Sequence, residues 1–531
     1  MKQLRITFAL CCWALTAGGQ QTTLESKVAK IEIGACRLED VIKTFGEPDR
    51  YLWGPQTFTR DRLPQVYIAG YPNGFSILLA GGVVREIRFE AGGYRYAGRV
   101  AVGDPMENLL AVTGPPKRTV KGPMPRNEEP AAGVLYEGGP DGPGYYARPD
   151  LGARFFFLNG KVSAIYLTPV VGGKLKAIPT FDPTKPDPFQ VDLRGQDLSA
   201  LDLRDRAGDL WHADFSTRTQ WPSPDRLPAG YAPKSILELG SNPGLGVRSL
   251  QKRGITGKGV AIAIVDNPLL ATHQEYSGRL RMHEYINANP QSNPHFHGST
   301  VVSLAAGKTL GVAPESEIYY ISCWAMDGGA IDLTPRAKAV RRFLEVNRTL
   351  PPEKRIRVIS MSLGWSAGQR GAAEMDAAAK EAKDQGILFV SSSIAQVHGF
   401  RFHGLGRDPM ADPDNFASYR PGRWWAKSFY DGTAMKDTLL APMDSRTGAG
   451  SGSDDESVYY SDGGWSWTIP YIAGVYALAA QVDHSITPER FWRLALKNGR
   501  TIEFTHDGKV YPLGPIVDPV ALIRALEPAS K

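Results

Sequence analysis

Cysteine is nearly missing from this chain: 531 residues carry four. Two of them, Cys11 and Cys12, lie in the first apolar run, which leaves Cys36 and Cys323 far apart in sequence. A disulfide framework is thereby excluded. Charge of one sign is scarce as well, since 61 basic against 55 acidic side chains give +6. So mild an excess points away from nucleic acid. Long hydrophobic runs are also lacking, and none reaches the roughly 20 residues of a membrane-spanning helix. The apolar stretch from Ile6 to Ala17 follows Lys2 and Arg5 and runs into small residues. Residues 1–20 therefore read as a secretory signal peptide, and the protein as exported, extracellular or periplasmic.

What is present is organised in blocks. Residues 24–178 contain a diverged duplication, in which IEIGACRLEDVIKTFGEPD returns in outline as VAVGDPMENLLAVTGPP. Gly34 aligns with Gly103, Glu39 with Glu107 and Gly46 with Gly114. Each copy runs on into an alternating hairpin with a glycine turn at Gly82 or Gly160, so each reads as a short helix plus a strand meander. This α+β module carries no catalytic constellation.

Residues 188–220 then show a five-residue beat, with Leu193, Leu198 and Leu203 in phase and Leu210 and Phe215 out of it. The beat resembles a pentapeptide repeat and suits a short β-coil. Repeats this few cannot close a core alone, so the segment is expected to pack on a neighbour. A proline-rich stretch, TRTQWPSPDRLPAGYAPKS, marks the next boundary.

From about residue 240 to 531 short apolar strands alternate with helical patterns. VAIAIVD, EIYYISCW, IRVISMSL and GILFVSS read as strands; STVVSLAAGK, TPRAKAVRRFLEVN and GAAEMDAAAKEAKDQG read as helices. Alternation of this kind predicts an α/β fold with a parallel sheet flanked by helices. Function in such sheets gathers at the carboxyl ends of the strands, where Asp266 ends IAIVD. His297 opens one predicted helix and Ser466, in GGWSWTIPYIAG, opens another. A serine hydroxyl needs a neighbouring base, and the base needs an acceptor that holds its tautomer. Asp, His and Ser in that chain order supply all three roles.

At these positions the sequence resembles the subtilases, the subtilisin-like serine peptidases. GKGVAIAIVDNPLLATHQEY resembles the family's aspartate segment, HGSTVVSLAAGKTLGVAPESEIYY its histidine segment, and GWSWTIPYIAG its serine segment. The resemblance covers about 240–500 and implies a subtilisin-like sheet, with Asp266 orienting, His297 as general base and Ser466 as nucleophile. It further implies that SMSLG, with Ser362, Leu363 and Gly364, pairs with the substrate backbone. The implied function is a secreted serine endopeptidase acting on protein or peptide substrates through an acyl-enzyme. No organic cofactor is implied.

Several positions depart from the family pattern. Asn267 and Pro268 follow the aspartate where a small hydroxyl residue and a glycine are usual, and Trp465 and Trp467 flank the serine. After GILFV the family has an asparagine that donates to the developing oxyanion, whereas matching from the strand puts Ala395 there. Ser392, Ser393 and Gln396 are the candidate replacements. Losing such a donor costs about 10²–10³ in rate, as measured for a subtilisin. That gap motivates the alternative, a catalytically impaired subtilase-fold protein that binds peptides in the same cleft.

Residues 396–425 read as an aromatic, arginine-rich insertion able to gate substrate or wrap the fold. Its His398 and His403 lack further ligands at metal spacing, so no metal site is expected there. Asp454, Asp455 and Glu456 lie in a Gly/Ser-rich loop where calcium, bound by many family members, is the one metal to consider.

Overall fold

The computed structural model describes residues 23–527, apart from 35, 54–55, 65, 123–132, 139–142, 169, 171–174, 176, 185–188, 289–293, 328–329, 424–428, 431–434 and 436. The expected signal peptide lies outside the described residues.

The duplicated block forms one antiparallel-rich sheet whose two halves meet where Val83–Phe89 pairs with Lys161–Leu167. The halves repeat the same fastenings. Gly34 N–H donates to Val84 O at 2.7 Å and Gly103 N–H to Val162 O at 2.8 Å. The helices Leu38–Phe45 and Met106–Thr113 both end at glycines of positive φ, Gly46 at 90° and Gly114 at 81°. A Cβ is disfavoured in that conformation, which is why glycine recurs at both stops.

In the segment that follows, Leu193, Leu198, Leu203, Leu210 and Phe215 are all buried in one cluster with Ile178, Ile236 and Tyr459. Its strand Ala213–Ser216 pairs in parallel with Val191–Asp192 and antiparallel with Ser457–Tyr460. A short coil thus closes its core on a strand some 240 residues away.

The central sheet is parallel, in the order Leu280–Ile286, Glu317–Cys323, Ala261–Asp266, Ile356–Met361, Leu388–Ser391. Its middle strand is buried along its whole length. Ile262 and Ile264 face the helices Phe296–Ala306 and Trp465–Val482, while Ala261, Ala263 and Val265 face Thr334–Thr349 and Ala372–Asp384. Side chains alternate between strand faces, so one apolar strand feeds two layers. The α/β fold with a parallel sheet between helices is therefore as expected. The Leu280–Ile286 edge strand was not expected.

The 396–425 insertion requires correction. It is neither an open gate nor a loose wrap over its length, because Arg401–Arg407 pairs in parallel with Thr438–Pro442 and antiparallel with Tyr419–Pro421. With Arg500–His506 and Lys509–Ile516 these strands make a second sheet. His403 is buried in it, and His398 Nε2 accepts from Phe389 N–H at 3.1 Å.

Candidate active site

Asp266 stands at the carboxyl end of the central strand, 1% exposed. Its Oδ1 accepts from His297 Nδ1 at 2.6 Å and from Asn267 N–H at 2.8 Å. Burial alone would raise its pKa, yet the neighbouring His297, the Arg336 guanidinium and the Asn267 N–H together hold it below the ordinary value. The imidazole is therefore gripped at Nδ1, which leaves Nε2 as the nitrogen able to take a proton.

The unusual Asn267 has a local explanation. Its amide lies 3.1 Å from His295 Nδ1, and its carbonyl oxygen accepts from Arg336. His295 Nδ1 also accepts from His297 N–H at 3.2 Å and so caps the helix that carries His297. Arg336, buried at the start of its own helix, donates to Val265 O at 2.6 Å. A Cβ on Gly298 would stand 2.5 Å from Asn267 O, so only glycine lets the helix start this close to the strand end.

Ser466 is the second residue of the helix Trp465–Val482, and it is half-buried. The N-cap Gly464 has φ 67° and supplies no side-chain cap. A helix start whose N-cap residue has no capping side chain is one that can receive an anion. Ser362 Oγ donates to Ser466 O at 3.0 Å, tying the serine to the SMSLG segment. The Trp467 ring centroid lies 5.3 Å from that of His297, so His297 and the start of the helix bearing Ser466 are neighbours. Among the described residues no hydrogen bond joins His297 to Ser466. Catalytic hydrogen bonds commonly tighten only once substrate is bound.

The candidate oxyanion donors separate. Ser393 Oγ accepts from Trp365 N–H at 2.8 Å and donates to Trp365 O at 3.0 Å, so its hydroxyl is committed. Gln396 is exposed and lines a surface cleft with Asp376, Lys380 and Lys383, against another helix. Both are corrections to the expectation. A five-residue helix, Ile394–His398, follows the strand Leu388–Ser391, and Gln396 on it is exposed. Ser392 is half-buried beside Gly364, its N–H donates to Leu363 O at 3.2 Å, and its hydroxyl has no partner among the described residues.

The acidic run does not converge on a cation position. Asp454 accepts from Thr272, Asp455 from Ser453 and Arg218, and Glu456 from Gly452 N–H. Among the described residues no three His, Cys, Asp or Glu groups are arranged to hold a metal ion.

Two further features gave no signal in sequence. Asp444 and Asp462 are buried just before the serine, with Asp462 paired to the Arg423 guanidinium. Burial, then the adjacent Asp462 charge, pushes Asp444 up to about 7. Asp214, from the upstream coil, is buried beside them.

Comparison with known proteins agrees with this architecture. Residues 257–395 match the model of the Subtilase family. The match contains Asp266, His297 and SMSLG and ends before Ser466. Among curated relatives, the chain is 29% identical over 131 residues to the subtilisin-like protease PopC of Myxococcus xanthus (strain DK1622), covering 23% of this chain and 28% of that one. It is 24% identical over 256 residues to the minor extracellular protease Epr of Bacillus subtilis (strain 168), covering 45% of this chain and 35% of that one. The matches thus span about a third or less of these relatives' lengths. The prenylagaramide maturation protease PagA aligns with a TM-score of 0.37 and 14% identity over 53% of this chain and 98% of that one, a likeness too slight to carry an argument.

Proposed function

We propose that this protein is an exported serine endopeptidase in which Asp266, His297 and Ser466 act as the triad. The observation that carries this reading is the 2.6 Å bond between Asp266 Oδ1 and His297 Nδ1 beside the uncapped helix start that bears Ser466. A peptide lies extended along Ser362, Leu363 and Gly364. Ser466 Oγ bonds to the scissile carbonyl carbon as His297 Nε2 takes the hydroxyl proton, and Asp266 stabilises the imidazolium. The oxyanion is met by the Ser466 N–H and by the Ser392 hydroxyl. The C–N bond then breaks, His297 returns the proton to the leaving amine, and water hydrolyses the acyl-enzyme by the same route.

The test uses a fluorophosphonate probe on the purified chain and on Ser466→Ala. Labelling of the parent and its loss in the variant are expected. An unlabelled parent, before and after any N-terminal processing, would replace the enzyme by a peptide-binding protein of the same fold.

A further inference from the structure

We propose that Asp214, delivered by the coil upstream of the parallel sheet, is a positioning residue for Ser466. The inference rests on the serine-peptidase reading and names a part of that site lying outside the family match.

Ser466 is reached from the strand Ser457–Tyr460 through residues 461–464. Gly464 gives the helix no side-chain cap, so the loop, and with it the serine, must be fixed by other contacts. Two buried carboxyls make them. Asp214 Oδ1 accepts from Ser461 N–H at 2.7 Å and from Ser461 Oγ at 3.2 Å, and Asp444 Oδ1 accepts from Gly463 N–H at 2.9 Å. Ser461 Oγ also reaches His212 O at 2.9 Å, so the loop entry is held by the coil at two points. Behind it, Phe215 pairs with Tyr459 and Ser216 with Val458.

Asp214 is poorly chosen for stability. It is 1% exposed, and its Oδ2 has no partner among the described residues. A half-satisfied buried carboxyl costs more than an apolar side chain of the same shape, so its retention is explained by where it puts the Ser461 amide. A nucleophile displaced by about 1 Å loses roughly 10²-fold in rate, so this placement has a kinetic consequence.

The experiment compares full-length parent, Asp214→Asn and Asp214→Leu by fluorophosphonate labelling rate, by kcat and KM on fluorescein-labelled casein, and by melting temperature. Asn keeps the acceptor at Oδ1, and its rates are expected within about threefold of the parent. Leu orphans the Ser461 N–H, so it is expected to lower the melting temperature modestly and to lower labelling rate and kcat about 10²-fold with KM within about twofold. Equal rates in parent and Leu variant, or a rise in KM with kcat unchanged, would overturn the inference while leaving the peptidase standing. A parent that labels no better than Ser466→Ala sinks the peptidase reading and this one with it. Hydrogen exchange in the parent adds a measurement that needs no variant: the Ser461 amide is expected to be protected as strongly as Tyr459, and exchange at a free-loop rate counts against Asp214.

Discussion

Asp266 and Asp444 are both fully enclosed carboxyls, yet their surroundings drive them in opposite directions. Asp266 faces His297 and lies near Arg336, so it stays ionised in spite of burial. Replacing it with Asn keeps the shape but removes the charge and the tautomer control, and Asp266→Asn is expected to lower kcat by about 10⁴ in a peptide-hydrolysis assay while the chain melts as before. Asp444 is held up at about 7 from an ordinary 3.8 by burial and by Asp462. Between about pH 4 and 7 the folded chain keeps a proton that the unfolded chain has lost. Stability from this group is thus fully present below about 4 and is lost as pH rises through about 7. Urea unfolding midpoints measured across that window should fall with pH in the parent and fall less steeply in Asp444→Asn. Asp266, His297 and Ser466 stood out in the sequence as candidates because each sits where a strand ends or a helix opens. Asn267, Arg336, Asp214 and Asp444 did not, because their roles depend on partners brought together by tertiary packing, and no local pattern marks a buried Arg or Asp.

At the level of elements, the pairing of the His297 and Ser466 helices is set by small residues. A Cβ on Gly474 would stand 2.6 Å from Val312 Cβ and 3.0 Å from Ala305 O, so the helix bearing Ser466 approaches the base's helix only because that position is bare. Gly474→Ala is expected to destabilise the chain by about 1–3 kcal/mol in chemical unfolding, through overpacking, although alanine is the better helix former. The other four strands of the central sheet were legible because each is a short apolar run between helical patterns. Two kinds of strand were hidden. Leu280–Ile286 reads LRMHEYI, and as an edge strand none of its residues is fully buried, so it lacks the hydrophobic run that announced the others. Arg401–Arg407 contains Gly404 and Gly406, which look like loop residues in sequence. In the fold Gly404 is a strand position against which Met443 packs, with the Met443 sulfur 2.2 Å from where a Cβ would sit. Ser393 was a candidate donor by its place after the strand, but its hydroxyl is turned inward to both backbone groups of Trp365, a contact that no local pattern marks.

Across the whole molecule, the cores indicate which parts stand or fall together. The duplicated module closes a hydrophobic cluster of its own, built from residues such as Ile77, Leu79, Phe155 and Phe157. The coil does not, since Leu193, Leu198, Leu203 and Phe215 share their cluster with Ile236 and with Tyr459, which lies on the strand leading to the serine. Coil and the strand Ser457–Tyr460 are therefore expected to open as one cooperative unit, and the duplicated module as another. Hydrogen exchange under mild denaturant should show Ala213–Ser216 and Ser457–Tyr460 opening at the same free energy, while Phe75–Ala80 and Ala153–Leu158 open together at a different one. The same partition predicts where shortening the chain becomes harmful. A chain beginning near residue 177 keeps Ile178, the whole coil core and Asp214, and is expected to retain the parent's fluorophosphonate labelling rate. One beginning after Ser216 uncovers Tyr459, leaves Ser457–Tyr460 as an edge strand paired only with Arg446–Ala449, and frees the Ser461 amide. Its labelling is expected to be lost and its unfolding transition to broaden, so a second chain as active as the first would separate the coil from the strands around Ser466.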